Sequence, residues 1–351
     1  MVESVTDVME NSTCHTWIPA ELQGRNVTLE LLNELHVKRN IGGIIMLLCF
    51  SVVGLIGNTH VLYVYSRQYK QSNYRIYVLF LAMLDVINCT VVAPLVVVYL
   101  FHPLMYPSNI FCKVFRTILY YMAIASTLSL VSIAIERFRK IRFPFKKKLS
   151  ESAVIKLCIG SLVVAAILSW PAPILWGLST VETGVPGFEG KRCFTDDSFK
   201  DSNINLQAIY NACLILFYFL VSGTLIVIYI YIGINIHKQY KFRGEQIACQ
   251  THLNGRKDSV NTNGNSARNA TYTLCAVTFA YVGSALPHHL LALLIFLIPN
   301  FDCSMSLFGS RWYYTFVWSY FFNSVINPFI YGIRDRKFRF AVKNIYRVCE
   351  K

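Results

Sequence analysis

Charged residues are scarce in this sequence, and acidic residues are scarcer than basic ones. Charged residues make up 15% of the 351-residue chain, whereas a soluble domain usually has about 25%. Apolar residues reach 54% and the mean hydropathy is +0.44, which excludes an ordinary soluble domain. The sequence also lacks internal repeats, a coiled-coil pattern and the basic start with an apolar core that marks a cleavable signal peptide. We therefore expect a membrane protein whose first apolar segment directs insertion.

Seven apolar runs are long enough to cross a bilayer as helices, which takes about 20 residues each. They cover residues 41–66, 76–100, 114–135, 154–176, 206–234, 271–298 and 312–333. Helices satisfy their own backbone polar groups in lipid. The sequence therefore predicts an all-α membrane protein. Seven transmembrane helices would fill residues 41–333, between a tail at 1–40 and a short segment at 334–351.

Lysine and arginine cluster in alternate connections between these runs. The connections after the first, third and fifth runs, and the segment after the seventh, are the basic ones. Since basic loops stay in the cytoplasm, we expect an extracellular N-terminus. There Asn11 and Asn26 stand in glycosylation sequons. The net charge of +14 then reflects membrane topology, and nucleic acid is not an expected partner.

Several polar side chains lie inside the apolar runs, where such groups are costly and usually functional. The set comprises Asn58, Asp85, Ser126, Asn323, Ser324 and Asn327. The Asp85 carboxylate cannot stay charged in hydrocarbon without partners. We therefore expect these residues to face one another and share water or a small cation, with Pro328 bending the last helix beside them. Simple hydrogen bonding between helices is the alternative.

Short motifs follow a fixed order along the runs. They are "GN" in the first, "LAMLD" in the second, "ERF" ending the third, a proline in the sixth and "NPFIY" in the seventh. Over its whole length the chain resembles the rhodopsin-like (class A) G-protein-coupled receptors. The resemblance implies a plasma-membrane receptor, not an enzyme, that reports an extracellular ligand to a heterotrimeric G protein. Arrestin and a receptor kinase are further implied partners.

The resemblance also assigns a cytoplasmic switch. Arg137 of "ERF" would pair with Glu136 at rest, beside Phe138, and would meet the G protein when the sixth helix swings outward. Tyr231 and Tyr331 match two tyrosines that support the arginine in the active state. The intramembrane polar set matches the family's allosteric sodium pocket, with sodium at Asp85. No other cofactor is implied.

The last residues, 334–351, resemble the family's short amphipathic eighth helix. Its expected lipid-facing residues are Phe338, Ile345 and Tyr346, with cations between them. Cys349 near its end is a candidate for palmitoylation.

Four cysteines concern the outer surface. The resemblance implies a disulfide between Cys112, which begins the third run, and Cys193 in the second outer loop. The secretory pathway is oxidising enough to form it. Cys14 and Cys303 would form a second bridge, and two free thiols are the alternative.

Two ligand classes are disfavoured by single positions. An amine receptor of this family needs an acid where the chain has Leu119, and an opsin needs a lysine where it has Phe321. The expected pocket is aromatic and mostly uncharged, and is lined by Leu119, Tyr120, Ala123, His288, His289, Tyr313, Val317 and Phe321. Because adjacent histidines on a helix point apart, a metal site is not expected.

The loop between the fourth and fifth runs is long and polar, and its Thr, Val and Gly residues favour a hairpin. Such a lid suits a peptide, whose backbone would extend a strand. A neuropeptide is therefore the first hypothesis for the ligand, and a lipid or another non-amine small molecule is the alternative.

Some positions depart from the family's pattern. Ala285 stands where the family has a switch tryptophan, Tyr281 replaces a phenylalanine one turn below, and Gly223 stands where a proline is typical. A transporter or channel is the alternative from another class, but it would usually show repeats or matching broken helices.

Overall fold

The computed structural model describes residues 27–143, 145, 148–183, 185, 187–200, 204–254, 262–298 and 305–349. Within this part of the chain, six helices are long and apolar enough to cross a membrane. They are α1 (Leu29–Gln68), α2 (Asn73–Phe101), α3 (Asn109–Arg142), α4 (Glu151–Ser169), α5 (Leu206–Asn254) and α6 (Thr262–Leu297). Side-chain oxygens of Thr28, Ser108 and Ser150 accept hydrogen bonds from backbone N–H groups and so cap three of these helices.

The outward faces of the helices are apolar. Ile45, Val52, Ile167 and Leu216 all expose more than half of their surface. Large exposed apolar surfaces are unusual on soluble proteins. They are expected here because lipid, rather than water, surrounds the bundle.

The seventh span is interrupted. It comprises α7 (Leu307–Phe316), a 3₁₀ turn (Ser319–Phe321) and α8 (Phe322–Arg334), so the break precedes Pro328, which lies inside α8. Hydrogen bonds between α6 and the broken segment help to satisfy backbone groups, as a broken helix in lipid requires. His288 Nδ1 donates to the Val317 carbonyl at 2.5 Å, and Ser319 Oγ donates to the Ser284 carbonyl at 2.7 Å.

The first helix is longer than its apolar run predicted. α1 begins at Leu29, inside the stretch 1–40 that was expected to be a tail. The added turns pack against the bundle through polar contacts that hydropathy does not reveal. Asn40 Nδ2, for example, donates to the Leu100 carbonyl at 3.0 Å.

Three sequence predictions concern residues outside the described part of the chain. They are the glycosylation of Asn11 and Asn26 and the bridge between Cys14 and Cys303. All three remain predictions.

The predicted hairpin is present between α4 and α5. Strand β1 (Trp176–Glu182) pairs antiparallel with β2 (Glu189–Thr195). The disulfide is confirmed: Cys193 on β2 is bonded to Cys112 in the first turn of α3, with a Cα–Cα distance of 5.5 Å. This bond fixes the hairpin over the bundle. We call the end of the bundle that the hairpin covers the hairpin end.

An ion pair also holds the hairpin to α3. Lys113 Nζ lies 2.9 Å from Asp196 Oδ2, just beyond β2. Burial would raise the pKa of Asp196, but hydrogen bonds from Lys113 and Ser198 more than offset this effect and lower the pKa to about 2. Asp196 therefore stays ionised throughout the physiological pH range.

The amphipathic helix α9 (Arg336–Cys349) lies at the opposite end of the bundle, the α9 end. The prediction that Phe338 faces lipid is wrong. Its ring is only 5% exposed and lies 5.9 Å from the ring of Tyr65, because it fills a gap between α1 and α8. Ile345 packs partly against the same core, whereas Phe340 is 64% exposed and faces outward. The side chains of Tyr346 and Cys349 lie outside the described part, so palmitoylation remains a prediction.

Replacing Cys193 with alanine should release the hairpin from α3. Loss of a native disulfide from a small domain costs about 2–5 kcal/mol, so we expect reduced surface expression and a lower thermal midpoint in detergent. Cys213→Ala, which removes an exposed free cysteine of α5, is the matched control. Peptide mapping that finds both Cys112 and Cys193 as free thiols in functional receptor would contradict the prediction.

Candidate ligand cavity and intramembrane polar cluster

A cavity of about 880 Å³ lies beneath the hairpin, between the helices. Its volume is within the range of small-molecule and cofactor sites. All eight residues of the predicted pocket line it, namely Leu119, Tyr120, Ala123, His288, His289, Tyr313, Val317 and Phe321. The lining continues from the hairpin down to Ser126, Asn323 and Ser324. The cavity therefore connects the hairpin end with the polar residues in the middle of the bundle.

The two adjacent histidines of α6 have separate partners. His288 bonds to the Val317 carbonyl, as described above. The His289 ring stacks on Tyr218 of α5 at a centroid distance of 3.6 Å, and its Nδ1 donates to the Ala285 carbonyl at 2.9 Å. Each ring is thus held in a different direction within the cavity wall.

Aromatic contacts join the hairpin to the cavity wall. The Tyr120 ring lies 4.8 Å from that of Trp176, the buried first residue of β1. Its hydroxyl donates to Asn211 Oδ1 of α5 at 3.0 Å. Tyr120 therefore links α3, α5 and the hairpin at one point.

The cavity is more cationic than the sequence predicted. Among the described residues, four basic side chains line it, from Arg39, Arg116, Arg192 and Lys200, against one carboxylate, from Glu182. The sequence did contain one signal, since Arg116 lies inside the third apolar run. The others escaped prediction because α1 is longer than expected and because hairpin register cannot be read from composition.

The polar cluster in the middle of the bundle joins α1, α2 and α8. Asn327 Nδ2 donates to Asp85 Oδ2 at 2.7 Å. Asn58 Nδ2 donates to the Ser324 carbonyl at 2.7 Å, and Asn88 Nδ2 donates to Ser324 Oγ at 3.2 Å. Asn88 was not predicted to belong to this cluster. It begins a π-helical turn, Asn88–Val92, that interrupts the regular spacing of α2.

The same cluster contains oxygen atoms suited to a hard cation. The buried atoms Ser126 Oγ, Asn323 Oδ1 and Asn327 Oδ1 form no hydrogen bond with the described part of the chain. Oxygen donors together with a carboxylate suit cations of this type. The residues present therefore fit a sodium ion, which Asp85 would neutralise and the neutral oxygens would help to hold.

A buried ion pair lies near the C-terminal end of α3. Arg137 Nε is 3.0 Å from Glu136 Oε2, and both side chains are almost fully buried. The Arg137 guanidinium also faces the ring of Tyr74 on α2, 6.0 Å from its centroid. Glu136 and Arg137 are thus paired in this structure, and their role in a resting state remains a prediction.

The comparisons with known proteins agree with this arrangement. The family described as "7 transmembrane receptor (rhodopsin family)" matches residues 57–331. The chain belongs to this family. It is 26% identical to neuromedin-U receptor 2 of Mus musculus over 306 residues, which are 84% of this chain and 72% of the relative. It is also 26% identical to the substance-K receptor of Bos taurus over 310 residues, which are 86% and 74% of the two chains.

A third relative is neuropeptide FF receptor 2 of Mus musculus, 27% identical over 262 residues, which cover 68% of this chain and 56% of that receptor. The chain is therefore a multi-pass receptor of the plasma membrane rather than an enzyme. The interrupted pair α7 and α8 is the seventh span of its bundle.

The two tyrosines assigned to the receptor's switch occupy different places. The Tyr231 ring lies 5.2 Å from that of Phe138, next to the arginine. Tyr331 instead packs against Tyr65 of α1, at a ring distance of 5.7 Å. A further tyrosine that the sequence reasoning missed, Tyr229, is buried and accepts a hydrogen bond from Thr278 of α6.

The carboxylate of Asp335, at the α9 end, forms two sets of hydrogen bonds. We call these contacts the Asp335 clasp. Asp335 Oδ1 accepts hydrogen bonds from the backbone N–H groups of Lys337 and Phe338 and so caps α9. Its Oδ2 accepts hydrogen bonds from the hydroxyls of Tyr65, at 3.0 Å, and Tyr69, at 2.6 Å. The cap was readable from "RDRKF", but the two tyrosines of α1 were not, because they are distant in sequence.

Asp85→Asn should abolish any dependence of ligand affinity on sodium, because it removes the only formal charge in the proposed sodium site. Affinity in the wild-type receptor should change between sodium chloride and equimolar N-methylglucamine chloride, measured by competition binding. Ser51→Ala, which removes a neutral hydroxyl two turns before Asn58 in α1, is the control. An unchanged sodium response in Asp85→Asn would rule out sodium binding at this cluster.

Asp335→Asn should release α9 from α1 while keeping a side chain that can cap the helix. Hydrogen bonds to charged groups contribute about 1.5–3 kcal/mol, so backbone amides of residues 337–345 should exchange hydrogen faster by mass spectrometry. The double variant Tyr65→Phe and Tyr69→Phe should have a similar effect from the other side. Equal protection in all three proteins would show that apolar packing of Phe338, rather than the clasp, holds α9.

Proposed function

We propose that this receptor binds a peptide in the cavity at its hairpin end, which faces the outside of the cell. The observation that carries the proposal is the large cavity under a disulfide-anchored hairpin, with aromatic, amide and basic side chains along its wall. Relatives whose names refer to neuromedin U, substance K and neuropeptide FF support a peptide ligand, in particular a neuropeptide.

The structure alters how a peptide would be recognised. Thr180 N in β1 donates to Asp197 Oδ1 at 2.9 Å, and Lys191 in β2 pairs with Met105. The receptor's own residues therefore occupy part of both outer hairpin edges. A peptide would be held mainly by side chains within the cavity rather than by adding a strand, as the sequence had suggested.

At the α9 end, we place the contact with a heterotrimeric G protein, as the family implies. The Glu136–Arg137 pair would hold the resting state, and a sodium ion at Asp85 would stabilise the same state. Residues before α1 would form the extracellular, glycosylated tail, and α9 would lie on the cytoplasmic membrane surface. Arrestin and a receptor kinase are proposed as partners of the active state from the family likeness alone.

The direct test is nucleotide exchange by a panel of purified heterotrimeric G proteins with the receptor in nanodiscs. A neuropeptide library and a lipid library would be screened in parallel against the same preparation. Saturable stimulation by peptides supports the proposal. Stimulation by lipids alone would favour the second candidate, a receptor for a lipid or another small molecule. Solute flux without nucleotide exchange would indicate a transporter or channel.

The buried pair Glu136–Arg137 makes a specific prediction. Removing one partner of a buried ion pair leaves an uncompensated charge, which costs about 3–5 kcal/mol. Glu136→Gln should therefore destabilise the resting state and raise basal nucleotide exchange. Arg137→Ala should remove the response to agonist at equal surface expression.

The matched control is Arg139→Ala, which removes an exposed charge from the same turn of α3. It should leave basal exchange and the agonist response close to wild type. A fully responsive Arg137→Ala receptor would show that signalling does not pass through this arginine.

A further inference from the structure

Arg116 is a buried cation on the cavity wall. It lies one helical turn beyond Cys112 in α3, and its side chain is only 8% exposed. One guanidinium nitrogen, Nη2, donates to the Cys193 carbonyl of β2 at 2.9 Å. The residue thus sits where the helix, the hairpin and the cavity meet.

The remaining surroundings of Arg116 are aromatic. Its Cζ atom lies 4.7 Å from the ring centroid of Tyr99 and 5.3 Å from that of Phe115. Such cation–π contacts stabilise a cation only modestly. Within the described part of the chain, no carboxylate forms an ion pair with Arg116, and its buried Nε donates to no acceptor.

A guanidinium stays protonated in proteins, so Arg116 cannot avoid the cost of burial by losing its charge. A neutral carbonyl and two rings compensate a buried charge only partly, since such charges normally require an opposite charge. The cavity around it is also cationic, with four basic side chains against one carboxylate among the described residues.

We propose that Arg116 is the anion-binding subsite of this cavity and that the ligand presents a carboxylate to it. The planar guanidinium matches a carboxylate through parallel N–H donors. In a peptide this group is either a free C-terminus or an Asp or Glu side chain. The inference deepens the proposed function, because it rests on the cavity being the ligand site and adds the charge of the ligand.

The competing explanation is that Arg116 only ties the hairpin to α3 through the Cys193 carbonyl. A purely structural arginine would affect folding and surface expression, but it would not discriminate between a carboxylate and an amide on a bound molecule. Discrimination between matched acids and amides therefore separates the two explanations.

The first experiment uses a matched pair of small probes, N-acetylphenylalanine and N-acetylphenylalaninamide, on purified receptor in detergent. A ligand that binds only the folded state raises the thermal midpoint. The acid should stabilise wild-type receptor more than the amide does at equal millimolar concentration. This preference should vanish in Arg116→Gln and weaken in Arg116→Lys, which keeps the charge but loses the fork.

Lys191→Gln is the matched control, since it removes one positive charge from the same hairpin outside the cavity wall. It should keep the wild-type preference for the acid. Arg116→Lys guards against misfolding of the glutamine variant, because a monodisperse Arg116→Lys receptor can still be tested. An equal response to acid and amide in wild type, or an unchanged preference in Arg116→Gln, would overturn the proposal.

The second experiment uses peptides that stimulate nucleotide exchange in the screen. Each would be resynthesised with its C-terminal carboxylate amidated and, separately, with each Asp or Glu replaced by Asn or Gln. One of these changes should weaken potency about 10- to 100-fold on wild type and have little further effect on Arg116→Gln. The position of that change identifies the source of the carboxylate.

The two proposals can fail separately. Active peptides whose potency is insensitive to every carboxylate replacement would leave the peptide receptor intact and overturn the role of Arg116. Acid-selective binding that depends on Arg116, without any peptide agonist, would support the subsite and count against a peptide ligand.

Discussion

The structure depends on one constraint: a polar group inside a bundle surrounded by lipid must find its partner within the protein. The bond from Asn327 to Asp85 and the bond from Asn58 to the Ser324 carbonyl meet this constraint between helices that are distant in sequence. These contacts offset the free-energy cost of burying polar groups, and they have a second effect. They fix the relative rotation of α1, α2 and α8, which apolar packing against lipid leaves less well defined.

The same constraint explains why the seventh span tolerates a break. The Val317 carbonyl accepts a hydrogen bond from His288 of α6, and the Ser319 hydroxyl donates one to the Ser284 carbonyl of α6. The 3₁₀ turn at the break contains Phe321, which lies on the cavity wall. The break in the seventh span therefore also shapes the cavity.

Features that depend on neighbouring residues in the sequence could be predicted, whereas contacts between distant segments could not. The seven runs, the hairpin and the polar set were readable because hydropathy, turn residues and rare polar positions are local features. The two ends of a long-range contact are not visible in either local sequence. Phe338 was predicted to face lipid because its partners, Tyr65 and Tyr331, lie on other helices and are not visible in the local sequence. The contacts of Asp335 and Arg116 were not predicted for the same reason, since α1 and the hairpin supply their partners.

The departures from the family's pattern in α6 are partly compensated by a hydrogen bond. Ala285 lacks the bulk of a tryptophan, but the hydroxyl of Tyr281, one turn below, lies 2.6 Å from Thr127 Oγ1 of α3, and both groups are buried. An outward swing of α6 would break this contact. Because one neutral hydrogen bond contributes only about 0.5–1.5 kcal/mol, the restraint between α3 and α6 is weak. A ligand shifts an equilibrium by its difference in affinity for the two states, so a modest preference for the open packing would be enough to overcome this restraint.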